Sequence, residues 1–201
     1  MRVVWVRLAA SLGILVLTVG TVAAVVTEPI SFVPWKVITP GDEPGKAPLI
    51  LYWVPASRDD FKRSELLFSR PLTSFASQCI AMDVVRNDDS VMIAKLGVTG
   101  ALPIAVLIDG EGKQLGKVAN ERGLLRVAAV ERLVRDHLRA REAVLEGQLD
   151  DARRKAMAGD REAAVSLYKA VWEQRCVFPR KGREAERQLK KLGVTIADAS
   201  S

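Results

Sequence analysis

The chain has 201 residues, about half of them apolar and about a quarter charged, with ordinary glycine and proline counts; this leaves room for one medium domain with its own core and a small appendage, and it argues against a disordered chain. Arg2 and Arg7 lie ahead of an apolar N-terminus, so the net charge of +6 leaves only a weakly basic remainder in which acidic residues interrupt almost every Lys/Arg run. A nucleic-acid binder calls for a clustered basic stripe, often with stacking aromatics, so nucleic acid is not an expected partner.

From Leu8 to Val26 the sequence LAASLGILVLTVGTVAAVV carries no charge. At about 1.5 Å per residue a helix of this length nearly matches a hydrocarbon layer of about 30 Å, so residues 1–27 read as a transmembrane anchor. Arg2 and Arg7 precede the run and the next basic residue is Lys36, which puts the N-terminus in the cytoplasm and everything after Glu28 outside. Val22-Ala23-Ala24 offers a cleavage site if the segment is instead a signal peptide, and both readings export the same domain. Residues 28–48 hold Pro29, Pro34, Pro40, Pro44 and Pro48 with Gly41 and Gly45, a composition that predicts a semi-extended tether holding the next domain off the bilayer. Trp35 and Lys36 suit either the headgroup level or packing on the domain.

Leu49-Ile50-Leu51-Tyr52-Trp53-Val54, closed by Pro55, has the pattern of a buried central strand. Asp59 to Ala76 spaces Phe61, Leu66, Leu67 and Phe75 at helical intervals, with Pro71 expected to break or kink the helix. A strand over 79–84, a helix over 90–96 and a strand over 103–108 follow. Asp109-Gly110-Glu111-Gly112 turns the chain into a hairpin partner over 113–118, and the apolar residues between Leu124 and Leu138 form one helical face. This order predicts an α/β sandwich built on one mixed sheet.

At residues 49–139 the chain resembles the thioredoxin superfamily. LILYWVPASRDD, residues 49–60, is similar to the strand and loop that in this family end in Trp-Cys-x-x-Cys. Phe68-Ser69-Arg70-Pro71 resembles the Phe-Ser-Asp-Pro that follows the redox motif in a bacterial branch of small exported members. Val98-Thr99-Gly100-Ala101-Leu102-Pro103 resembles the segment that carries the family's cis-proline. The resemblance implies a thioredoxin-like domain in which Ser57-Arg58-Asp59-Asp60 stands in place of Cys-x-x-Cys and Leu51 in place of the buried acid that assists proton transfer. Disulfide exchange needs one thiolate to attack and a second thiol to resolve, and Ser57 and Asp60 supply neither. A serine without an adjacent base is hardly ionised, and the only histidine, His137, falls on the last helix of the domain. No enzymatic activity is expected.

What the resemblance leaves is a groove for an extended peptide, which Ser57, Arg58, Asp59, Asp60, Leu102 and Pro103 would line. Arg58, Asp59 and Asp60 equally suit simple capping of the helix that follows, and capping alone is the preferred reading. Cys79 and Cys176 either pair as a disulfide tying the C-terminal helices to the sheet or stay as two buried free thiols, and the second is slightly preferred. One histidine and two distant cysteines offer no metal ligand cluster, and no cofactor is expected.

Residues 140–195 show no strand signal, and Gly159-Asp160 and Pro179 divide them into three helical stretches ahead of a flexible 196–201. Gly159-Asp160-Arg161-Glu162-Ala163-Ala164, followed by Tyr168, resembles the turn and second helix of one tetratricopeptide repeat. A solitary repeat cannot bury its own face, so this extension must pack on the domain or on a partner. Val165, Tyr168 and Trp172 are the candidate contacts, either intramolecular core or interface. Arg180, Lys181, Arg183, Lys190 and Lys191 form a basic end, either a solvated face or one turned to anionic lipid. Together these readings predict a redox-inactive, protein-binding or scaffolding subunit of a membrane complex, single-pass in a bacterial inner membrane with its folded part in the periplasm. The alternative is a thiol-disulfide enzyme or holdase working through Cys79 or Cys176.

Overall fold

Val33, Trp35 and Trp53 pack on one face of a five-stranded mixed sheet flanked by six helices, seen in a computed structural model that describes residues 31–39, 41–42 and 46–194. The expected membrane span over residues 8–26 lies outside the described residues, as does the tail 196–201; among the described residues no helix is long and apolar enough to cross a membrane. The strands are β1 (Lys36–Ile38), β2 (Leu49–Val54), β3 (Ile80–Val85), β4 (Ile104–Asp109) and β5 (Gln114–Ala119), in the order β1-β3-β2-β4-β5. β3 pairs in parallel with β1 and β2, whereas β4 is antiparallel to both β2 and β5.

β2 is buried at all six positions, as befits a strand with neighbours on both edges and layers on both faces. Its alternation sends Leu49, Leu51 and Trp53 to one core and Ile50, Tyr52 and Val54 to the other. On the second face Tyr52 is fully buried beside Asp83; burial, and then that carboxylate, push its phenol up to about 12.

Two expectations for the N-terminal half are corrected. Part of the expected tether, 28–48, is an ordered edge of the sheet: β1 pairs with β3, Lys36 opposite Asp83. Trp35 packs edge-on against Trp53 at 5.5 Å between ring centroids, and its indole N–H donates to the Leu66 carbonyl at 3.1 Å. A three-residue edge strand between prolines breaks no ladder bond, which is why proline-rich sequence conceals it. The segment 59–76, expected to be helical with a break or kink at Pro71, is three pieces, α1 (Arg58–Arg63), a 3₁₀ turn (Glu65–Phe68) and α2 (Arg70–Ala76). Ser64 and Ser69 each cap the piece that follows. Pro71 sits in the first turn of α2, where its missing N–H costs nothing, so it opens a helix rather than kinking one.

α3 (Ser90–Lys95) is capped by the buried Asp89, whose carboxylate accepts from Met92 N–H at 3.0 Å. The helix expected over 124–138 is the start of α4 (Val127–Met157), one 31-residue rod of about 46 Å. The position 139/140, read as a division between two units, lies inside this rod. Val130, Val134 and Leu138 bury against the sheet side, and Leu145, Leu149 and Ala152 continue the buried stripe toward α5 (Arg161–Glu173) and α6 (Pro179–Lys191). One apolar cluster therefore runs unbroken from Val33 through the sheet to Leu189.

Cys79 and Cys176 are joined, with Cα atoms 5.7 Å apart, and neither is a free thiol. The preferred free-thiol reading is thereby corrected. Cys79 ends the turn from α2 into β3 and Cys176 lies in the short 3₁₀ turn Gln174–Cys176 between α5 and α6, so the bond ties the helical hairpin to the sheet. Folding across 97 residues of separation brought them together, and nothing in either local sequence announces it.

Candidate functional site

β2 and β4 are antiparallel with Val54 beside Ile104, so the flanking prolines, Pro55 and Pro103, come to the same end of the sheet. The Leu102–Pro103 peptide is cis. Pro103 is buried, Leu102 half-buried, and Thr99, Gly100 and Ala101 are exposed beside it. After Pro55 the chain emerges through exposed Ala56 and Ser57 into α1, where Arg58 and Asp59 are exposed and Asp60 half-buried. The six groove candidates therefore come from two loops, and the β2–β4 register sets both at one sheet end.

Two side chains with no signal of their own in the sequence fix these loops. Asn87, just after β3, donates its amide to the Ala56 carbonyl at 3.0 Å. Asn120, just after β5, donates to the Ala101 carbonyl at 2.5 Å. Each asparagine bonds across a long sequence separation, and a loop asparagine has no periodicity to betray it. A cleft of about 520 Å³ continues from α1 along the 121–127 segment, lined by Asp59, Asp60, Arg63, Glu65, Leu124 and Arg126. Leu124 is 68% exposed there, and Arg126 pairs with Glu121 at 2.9 Å.

The chemistry at this end is that of oxygen atoms already committed. Ser57 Oγ accepts the Asp60 N–H at 3.1 Å, and the Asp60 carboxylate accepts the Ala56 N–H at 2.8 Å, a reciprocal cap on α1. No imidazole stands near Ser57. His137 lies at the opposite end of the sheet, in a cleft with Pro48, Leu49, Asp109 and Arg141. Burial holds the His137 imidazole below its usual protonation range, Arg141 pushes the same way, and Asp109 partly offsets both. Among the described residues no three His, Cys, Asp or Glu side chains are grouped to hold a metal ion.

The helical candidates divide. Tyr168 is 2% exposed and belongs to the core, so it is not available to a partner; Val165 and Trp172 are half-buried against the same cluster. Trp172 also carries the Arg175 guanidinium 3.7 Å above its ring. Part of the basic end is spent internally: Lys181 pairs with Glu146 of α4, and Lys190 with Glu186.

No family model matches the chain, and no curated protein sequence matches it.

Proposed function

We propose that the chain is a thioredoxin-like domain without dithiol chemistry, held by an anchor over residues 8–26 in a bacterial inner membrane with its folded part in the periplasm, and that it serves as a protein-binding or scaffolding subunit of a membrane complex. The reading is carried by one observation: the two positions that would hold the redox cysteines, Ser57 and Asp60, are occupied by oxygen side chains engaged in capping α1. The strand order, the antiparallel β4–β5 hairpin and the cis Leu102–Pro103 bond beside that loop support the kinship. The loop end keeps exposed backbone at residues 99–101 and an exposed Leu124, features that suit an extended peptide. The Cys79–Cys176 bond supports export, since such bonds persist in oxidising compartments, and it leaves no free thiol for the alternative single-thiol chemistry.

The test is crosslinking of the intact chain in membranes, compared with an Arg58→Glu, Asp59→Lys variant that leaves the Ser57–Asp60 cap in place. Loss of a reproducible protein adduct in the variant places recognition on this loop. Retention of the adduct moves recognition to the helical side, and no adduct from either chain removes the adaptor reading.

A further inference from the structure

Ser31 is the first described residue, and the domain holds it firmly. Its hydroxyl shares its one proton between the Leu67 carbonyl at 2.8 Å and the Val33 carbonyl at 2.7 Å. Phe32 and Val33 donate their N–H groups to the same Leu67 carbonyl at 2.9 and 3.2 Å. Ser31 is therefore held at a fixed point on the domain, over the 3₁₀ turn Glu65–Phe68. The uncharged run ends at Val26, so only Thr27, Glu28, Pro29 and Ile30 separate it from Ser31. Fully extended, four residues reach about 14 Å. A tether of 21 residues could hold a domain clear of the bilayer; four cannot.

Just after Ser31, and on the turn that holds it, two phenylalanines are exposed against each other. Phe32 is 67% and Phe68 47% solvent-accessible, their rings edge to face at 5.6 Å. Ordinary folding leaves such a pair in water only at a cost, since each ring has apolar area to remove. Lys62, Arg63 and Arg70 are exposed in the sequence around Phe68, with Glu65 the one acid among them, and Arg63 lines the cleft shared with Asp59, Asp60 and Glu65. Exposed aromatic rings in a stretch of sequence that also carries exposed basic residues fit the headgroup boundary of an anionic bilayer.

We propose that Phe32 and Phe68 form a membrane-seating contact: the pair inserts at the headgroup boundary of the bilayer from which the anchor emerges and fixes the domain's orientation against it. This rests on the anchor reading. The rings, and not the basic end of α6, face the lipid.

The experiment uses the full chain reconstituted in vesicles of phosphatidylethanolamine and phosphatidylglycerol, with p-benzoylphenylalanine replacing, one at a time, Leu15 in the uncharged run, Phe68, or Val91, which is 79% exposed on α3. Photolysis followed by mass spectrometry counts phospholipid adducts. The contact predicts adducts at Leu15 and Phe68, with Phe68 exceeding Val91 severalfold; replacing Phe32 instead of Phe68 gives the same excess. Lipid at Leu15 with no excess at Phe68 over Val91 overturns the contact and leaves the anchor standing, and so does a dimer-sized adduct at Phe68 without lipid. No lipid at Leu15 removes the anchor and this contact with it.

Discussion

Ser57 and Asp60 hold each other across the first turn of α1: the serine oxygen accepts the aspartate N–H at 3.1 Å, while the aspartate carboxylate reaches back to the Ala56 N–H at 2.8 Å. Removing the Ser57 hydroxyl leaves the Asp60 N–H in the first turn without an acceptor, and removing the Asp60 carboxylate does the same to the Ala56 N–H just ahead of the cap. Ser57→Ala and Asp60→Ala should each lower unfolding free energy by about 1 kcal/mol in urea titrations. The double variant should cost less than the sum, because the two residues cap one turn. Strict additivity would mean that they act separately.

The same geometry permits a gain-of-function test. Ser57→Cys with Asp60→Cys places two thiols at the start of a helix, where the macrodipole favours the thiolate. The double variant should show a second redox couple beside Cys79–Cys176, read by thiol trapping in glutathione buffers. A single couple in the variant would mean that this loop does not present the two positions as a thioredoxin-like loop does.

The Cys79–Cys176 bond spans 97 residues of sequence, and a loop of that size restricts the unfolded chain strongly. Cys79→Ala with Cys176→Ala should destabilise by roughly 2–5 kcal/mol. Cys79 also sits at φ 57°, a region L-residues seldom adopt, so Cys79→Gly with Cys176→Ala should be the more stable of the two bond-free variants. Thermal melts of the three chains decide the order.

Two glycines on helices should respond to alanine with opposite signs. A Cβ at Gly182 in α6 would fall 2.7 Å from the Arg175 Cα, a backbone atom that cannot swing aside. Gly182→Ala should therefore destabilise by about 1–3 kcal/mol as α6 is pushed off the turn before it. Gly147, exposed in the middle of α4, has nothing within 4 Å of the new methyl. Gly147→Ala should stabilise by about 0.5–1 kcal/mol. The pair is measured in one denaturant series.

His137 gives the fold a pH dependence of known sign. Burial, helped by Arg141 and opposed by Asp109, holds its imidazole below the usual value of 6.5, so the unfolded chain binds the proton more readily. Its contribution is fully present above pH 6.5 and is lost as pH falls from there through the lower folded value. His137→Gln should flatten the stability profile over that acidic window and leave the alkaline side unchanged. A profile steeper in the variant would reverse the assignment.

What the sequence determined by itself was local. The six-residue apolar run at Leu49–Val54, the Asp109–Gly112 turn and the capped start at Asp160 each carry their own periodicity or turn chemistry, and the elements follow. Residues 57–60 also announced that no dithiol pair stands at that loop. Tertiary structure decided everything that depends on partners distant in sequence. β1 exists because β3 offers a parallel edge to a three-residue stretch with almost no strand signal of its own. α4 runs through 139/140 because its second half finds α5 and α6 to cover Leu145 and Leu149, and no breaker stands between Leu138 and Leu145. Cys79 meets Cys176, and Asn120 meets the Ala101 carbonyl, across sequence separations of 97 and 19, only once the chain between them has folded. Propensity and patterning act over a few residues, whereas the closure of long loops is favourable only once the whole core is buried, and so it leaves no mark on either end alone.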